Sequence, residues 1–248
     1  MRRFFVADVV EDKIKIDGSD AHHIRRVLRY KLGDKLIVVD GSGKVMEAFI
    51  IEISDEMVIA EVKEVLDNNT ESPIELILAQ CLPKGDKMEL VVQKAVELGV
   101  STIYPIVSEN CVVKYDEKKK MARQIKWQKI ADEAAKQCGR TILPTVESVT
   151  ELKIFLENID SNLEALMCYE GEAEEPIKKI LAESLANRFL VLIGPEGGFT
   201  KNEVEICQKA GLKIATLGKR ILRTETAAIA ASAIVMYEKG DLGAMMKG

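Results

Sequence analysis

Phe189-Leu190-Val191-Leu192-Ile193-Gly194-Pro195-Glu196-Gly197-Gly198-Phe199-Thr200-Lys201-Asn202-Glu203 is the stretch that decides the fold. Five consecutive apolar residues stopped by glycine and proline predict a strand buried on both faces. Thr200 and Glu203 have the spacing of a capping box and predict the start of a helix, with Gly211 as its stop. The pattern then repeats: an apolar run over 214–217, the loop Gly218-Lys219-Arg220-Ile221-Leu222-Arg223-Thr224-Glu225, and an alanine-rich helix over 226–237. Two buried strands that each end in a glycine-bearing loop predict a ligand site at one edge of an open α/β sheet. Glycine lets the backbone approach a ligand closely, and Arg223 and Glu225 add charge there. Neither loop is a phosphate cradle, because the chain has no G-x-x-x-x-G-K-[ST] and no G-x-G-x-x-G after a strand.

The helix over 226–237 carries no charged face and is expected to be buried all round. It predicts either a two-fold homodimer interface or burial inside one subunit. Upstream, strand and helix alternate from residue 74. Apolar 74–82 precedes a helix over 87–98, capped by Asp86 with Glu89 as a second capping box and stopped by Gly99. A strand over 102–107, helices over 117–137 and 150–159, a strand over 163–169 and a helix over 176–185 follow. This is an α/β domain with a mostly parallel sheet. Before residue 70 the texture differs: short β-type runs over 4–6, 13–16, 35–39, 45–53 and 58–65 surround one helix over 20–29. That pattern predicts a small β-barrel, with a linker over 67–73.

Composition removes several classes of function. Of 248 residues, 47% are hydrophobic and 30% charged, with a net charge of −5, as in an ordinary globular protein. No apolar stretch approaches the roughly 20 residues that span a bilayer, and the first residues do not read as a secretory signal. Five cysteines, scattered singly, predict free thiols in a reducing cytoplasm rather than disulfides or zinc. Only His22 and His23 are histidines, and as neighbours they point to different faces, so a histidine metal centre is not expected. A serine nucleophile also lacks its G-x-S-x-G. Chemistry must therefore rest on a bound cofactor, on Arg, Glu or Asp side chains, and on placed backbone groups.

Charge is uneven along the chain. Residues 1–35 hold nine Lys or Arg against six acids, while 36–72 hold two against nine. Arg25 and Arg29, four apart, are expected on one helix face beside Arg26 and His23, a surface suited to RNA phosphates. A second basic stretch, 114–129, has seven bases against two acids and reads as a solvated helix face.

Seven segments in order resemble the ribosomal small-subunit methyltransferase E family: Arg3-Phe4-Phe5; His23 with Val27-Leu28-Arg29; Lys84-Gly85-Asp86-Lys87-Met88; residues 93–100; residues 133–140, ending in Gly139-Arg140; 194–200; and 217–227. The resemblance implies a PUA-like RNA-binding barrel over 1–70 and a SPOUT domain over 73–248 that binds S-adenosylmethionine in a trefoil knot. It further implies a homodimer, needing no metal, that methylates N3 of a uridine in 16S rRNA of the small ribosomal subunit. The residues so implied for the cofactor are Ile193, Gly194, Pro195, Glu196, Gly197, Gly198, Leu217, Gly218, Ile221, Leu222 and Thr226. Those implied for RNA are Arg2, Arg3, His23, Arg25, Arg26, Arg29, Lys84 and Arg140. The chain departs from the family at Asn110 and Cys111, where Arg-Ser is usual, and at Cys138, where serine is usual; no role is carried onto 109–111.

The implied reaction assigns the catalytic candidates. N3 of uracil bears a proton, so methylation needs that proton removed or the developing negative charge stabilised. Arg223, permanently positive, suits the second task. Glu225 is either a base or, more simply, a partner that holds an arginine or the loop. Other readings are an assembly factor that binds RNA without catalysis, and an enzyme of the same fold acting on tRNA or ribose.

Overall fold

A computed structural model describes residues 3–7, 9–67, 70–171 and 175–244, which form two compact units. Unit 1 comprises Met1–Glu71 with Ala135–Leu143, and unit 2 comprises Ser72–Ala134 with Pro144–Gly248. The segment 135–143, read from sequence as part of the second domain, thus belongs to the first unit.

Unit 1 contains β1 (Arg3–Phe5), β2 (Lys13–Asp17), α1 (Gly18–His22), β3 (Lys35–Val39), β4 (Val45–Ile53) and β5 (Met57–Leu66). The five strands form one sheet in the order β1-β3-β4-β5-β2. β1 runs parallel to β3, and the other pairs are antiparallel. Alternation sets the faces: in β2, Ile14 and Ile16 are buried while Lys13, Lys15 and Asp17 are exposed. The inward residues join Phe4, Ile24, Leu36, Val38, Ile50 and Val58 in one core.

The helix expected over 20–29 is shorter and differently wound. α1 passes into a π-type turn over His23–Val27, closed by Leu28 N–H donating to His23 O at 3.0 Å, and Arg29 is left-handed with φ 56°. The wider turn and the reversed residue break the four-residue periodicity. Arg25 and Arg29 therefore do not share an α-helical face, which corrects that expectation.

In the returning segment, Glu71 collects Arg140 Nε at 3.0 Å, Arg140 Nη2 at 2.6 Å, Thr141 N at 2.7 Å and Ile142 N at 3.1 Å. Lys136 Nζ pairs with Asp20 at 2.9 Å, and Thr70 Oγ1 donates to Gly139 O at 2.6 Å while accepting from Arg3 Nη1 at 3.3 Å.

Unit 2 contains β6 (Glu75–Cys81), α2 (Lys87–Glu97), β7 (Thr102–Val107), α3 (Glu117–Cys138), β8 (Thr145–Val146), β9 (Thr150–Glu151), α4 (Leu152–Glu157), β10 (Glu164–Cys168), β11 (Glu175–Pro176), α5 (Ile177–Glu183), β12 (Arg188–Ile193), α6 (Lys201–Lys209), β13 (Lys213–Thr216) and α7 (Thr224–Glu238). The last residues of α3 count with unit 1. The sheet order is β11-β13-β10-β12-β6-β7-β8, with β9 on β7, and every pairing is parallel. β6 and β12 are buried almost throughout, as continuous apolar runs in a two-sided sheet must be.

The Thr200 capping box forms: Glu203 N donates to Thr200 Oγ1 at 3.2 Å and Thr200 N to Glu203 Oε2 at 2.9 Å. The one expected at Asp86 does not, since Asp86 makes no side-chain cap and Glu89 instead meets Lys126 and, at 3.6 Å, Arg123. Two long cations on α3 offer Glu89 a stronger partner than a backbone N–H. The helix expected over 150–159 loses its first two residues, because Thr150 and Glu151 pair with Ile106 and Val107. Gly99, φ 90°, ends α2 where a Cβ would lie 2.4 Å from Met236 Cε of α7. Among the described residues, no helix is long and apolar enough to cross a membrane, and no group of three His, Cys, Asp or Glu is placed to hold a metal.

Candidate active site

β12 and β13 flank β10 on opposite sides, and all three run parallel, so their C-terminal loops open on one edge of unit 2. A cavity of about 320 Å³ lies there. Its walls are the loop after β12 from Ile193 to Phe199 without Gly197, the loop after β13 from Thr216 to Arg223, the end of β10 with Cys168, Tyr169 and Glu170, and Thr224 and Ala227 of α7.

Of the residues expected at a cofactor, Ile193, Gly194, Pro195, Glu196, Gly198, Leu217, Gly218, Ile221 and Leu222 line this cavity, and so does Arg223. Gly197 and Thr226, also expected at the cofactor, do not line it. Gly197 instead lies against Asn110, where an added Cβ would come within 2.9 Å of the Asn110 Cβ. On α7 the helical phase groups 223, 224 and 227 and turns 225 and 226 away. Thr224 and Ala227 occupy the wall in place of Thr226.

Glu225 is also turned from the cavity. Its Oε2 lies 3.3 Å from Lys87 Nζ, and the same ammonium meets Glu196 Oε1 at 2.8 Å. Lys84 N–H donates to Glu196 Oε1 at 3.1 Å. The two carboxylates hold the Lys87 ammonium above its usual pKa, Glu196 chiefly. Burial pushes the Glu196 carboxyl up, but Lys87 and the backbone N–H groups outweigh it and hold the group below the usual range. The ion-pair partner of Glu225 is thus a lysine rather than an arginine.

Arg223 contrasts with this cluster. It is exposed at the cavity, and among the described residues nothing pairs with its guanidinium. Lys219 and Arg220 of the same loop are likewise exposed and unpaired. The backbone N–H groups of Lys219, Arg220, Ile221 and Leu222 meet no protein acceptor among the described residues, so the loop offers unused donors beside apolar side chains. At the glycine loop, Asn110 Nδ2 donates to Gly197 O and Gly198 O, each at 3.1 Å, and Glu203 Oε1 accepts from Glu109 N at 2.8 Å. The departure from the family pattern at Asn110 therefore closes the outer side of the glycine loop.

The residues expected at RNA separate. Arg26, Arg29 and Lys84 are exposed. His23 is half-buried, and Arg25 is engaged with Asp55, its Nη1 reaching the backbone oxygen at 2.5 Å. Arg3 and Arg140 are 5% and 6% exposed, with their guanidinium groups turned to Thr70 and Glu71, so burial removes both as phosphate contacts. Arg2 lies outside the described residues.

Sequence reading missed Glu170, Lys219, Arg220, Thr224 and Ala227 as cavity residues, Lys87 as the partner of Glu196 and Glu225, and Asn110 as a partner of the glycine loop. The signals were faint: Lys219 and Arg220 stand inside the loop already singled out. Lys87 and Thr224 carried no mark of the partner that each finds.

Known proteins match this architecture. Residues 16–63 match the family described as RNA methyltransferase PUA domain, and residues 70–236 the family described as RNA methyltransferase domain. The chain is 33% identical to the ribosomal RNA small subunit methyltransferase E of Bacillus subtilis, covering 96% of this chain and 97% of that one. A crystal structure of a ribosomal RNA small subunit methyltransferase E from Neisseria gonorrhoeae, bound to S-adenosyl methionine, is 33% identical with a TM-score of 0.87, covering 98% and 99% of the two chains. A methyltransferase from Legionella pneumophila in complex with bound SAM gives 31% identity and a TM-score of 0.87, covering 96% and 98%. An RNA methyltransferase domain matched over most of the length, behind a matched PUA domain and with full-length relatives at this identity, means that the chain belongs to the ribosomal RNA small subunit methyltransferase E family.

Proposed function

We propose that this protein is an S-adenosylmethionine-dependent methyltransferase of 16S rRNA that acts on N3 of one uridine, in the cytoplasm and as a homodimer. The observation that carries the reading is the cavity on the sheet edge, walled by two loops with unused backbone donors and faced by the unpaired Arg223. Its size fits a cofactor-sized ligand. Ile221 and Leu222 supply apolar surface for an adenine, the free N–H groups of the loop suit its ring nitrogens, and the exposed Glu170 carboxylate suits an ammonium. When bound, S-adenosylmethionine supplies an electrophilic methyl group on a sulfonium.

The chain's own residues do the rest. The glycine loop and the loop after β13 hold the donor and the uracil in line, which converts an encounter into an oriented reaction. As the N3 proton passes to solvent water, Arg223 offsets the negative charge shared between N3 and the two ring carbonyls. Glu225, ion-paired to Lys87, keeps the first turn of α7 in place and is not the proton acceptor. Lys219 and Arg220 face the phosphates beside the target, which is unstacked so that N3 is reached. Residues 1–70 form the RNA-binding domain, with Arg26 and Arg29 as its exposed cations, and 73–248 form the catalytic domain, knotted as in the SPOUT fold. α7 supports the dimer: Ile229, Ala230 and Ala233 are only half-buried and Tyr237 is 66% exposed, so one apolar stripe remains for a second copy.

Deleting the gene and mapping 16S rRNA by reverse transcription and mass spectrometry tests the reaction. An N3-methyl blocks Watson–Crick pairing, so a polymerase stop present in the parent strain disappears from the mutant. If every such stop persists, the uridine-N3 reading is wrong.

A further inference from the structure

Gln80 is fully buried near the end of β6, and its Oε1 has no hydrogen-bond partner among the described residues. Leaving an amide oxygen unsatisfied in a core is costly, so the residue calls for a reason beyond packing. Its Nε2 donates to Cys81 O at 2.8 Å and to Thr224 Oγ1 at 2.9 Å. A carbonyl oxygen only accepts, so Cys81 O fixes which end of the amide faces this way. Thr224 Oγ1 must then accept from Gln80, and its single proton is directed at Gly194 O, 2.6 Å away. Three elements are thus joined by bonds of fixed direction: the end of β6, the first turn of α7 directly after Arg223, and the first residue of the glycine loop. A Cβ on Gly194 would come within 2.9 Å of the Phe199 ring, so this peptide is also confined from the other side.

We propose that Gln80 and Thr224 are positioning residues, a directional relay that sets where Arg223 stands relative to the glycine loop and hence to the transferred methyl group. The relay rests on the cavity being the cofactor site. Among the described residues, no hydrogen bond or ion pair holds the Arg223 side chain, so its place depends on the turn that Thr224 anchors. The relay aligns a charge and a donor already bound, so its loss falls on kcat rather than on cofactor affinity.

Small subunits from a strain lacking the methyl group serve as substrate, and calorimetry with S-adenosylmethionine gives cofactor affinity separately. Thr224→Val keeps the shape and removes the hydroxyl. It is expected to lower kcat about 10- to 100-fold, the scale of a misplacement of about 1 Å, with cofactor Kd changed only a few-fold. Thr224→Ser, which keeps the hydroxyl, recovers most of the loss, and Gln80→Leu follows Thr224→Val. Because the relay acts through Arg223, adding Thr224→Val to Arg223→Ala costs little more than Arg223→Ala alone. A kcat unchanged by Thr224→Val, a loss confined to Kd, or losses that multiply in the double variant would each overturn the relay. If Gln80→Leu fails to fold, the Thr224 variants still decide the matter. Wild-type protein that binds no S-adenosylmethionine would sink the cofactor reading itself, and that is read before any variant is made.

Discussion

At the scale of single residues, the same side-chain type does opposite work according to its surroundings. Arg140 and Arg223 both belong to family motifs. Arg140 is spent on Glu71 with its side chain 8% exposed, while Arg223 at the cavity pairs with nothing among the described residues. Removing either has a different signature. Glu71→Gln takes away the negative charge that faces the buried Arg140 guanidinium and is expected to cost about 3 kcal/mol, read by chemical denaturation. The pH dependence follows from Glu71. Burial pushes its carboxyl up, but the Arg140 guanidinium and the Thr141 and Ile142 N–H groups outweigh this and hold it below its ordinary 4.5. A depressed carboxyl stabilises the fold fully above the unfolded value and loses that contribution as pH falls through the folded one. The wild-type protein should therefore lose stability below about pH 4.5, and Glu71→Gln should flatten that limb. Arg223→Ala, by contrast, should leave stability unchanged and lower kcat about 100- to 1,000-fold, with cofactor Kd nearly constant by calorimetry.

At the scale of elements, local signals are honoured where no tertiary partner competes with them. The capping box of α6 forms, and its Glu203 also accepts from Glu109, so the helix start and the turn carrying Asn110 are fixed together. Thr200→Ala should cost about 1 kcal/mol, measured by thermal unfolding. The box expected at Asp86 fails because Lys126 and Arg123 of α3 claim Glu89. In α7, composition announced burial on every side, yet the helix keeps a half-covered apolar stripe. Ala233→Glu puts a charge in the middle of that stripe and should convert a dimer to a monomer of 27.5 kDa by light scattering. A wild-type protein already at that mass would remove the dimer.

At the scale of the whole molecule, a chain with a net charge of −5 must find RNA through local cations. Lys219 and Arg220, exposed at the cavity in the same loop as Arg223, pair with nothing among the described residues. Reversing both to Glu should weaken binding to small subunits and reduce the salt slope by about one to two, while S-adenosylmethionine binds as before. An unchanged slope would place the phosphates elsewhere. The sequence by itself determined the alternation of strand and helix, the two glycine loops and the α/β class, because apolar runs, caps and stops act over a few residues. It also showed the β-rich texture of the first seventy residues. Only the tertiary structure decided that Arg3 and Arg140 are buried, that Glu225 belongs to Lys87, that 135–143 returns to the first unit, and that Gln80 reaches Thr224, 144 residues away. Those outcomes depend on helix phase and on which polar groups meet after the chain has closed. No local propensity encodes either one.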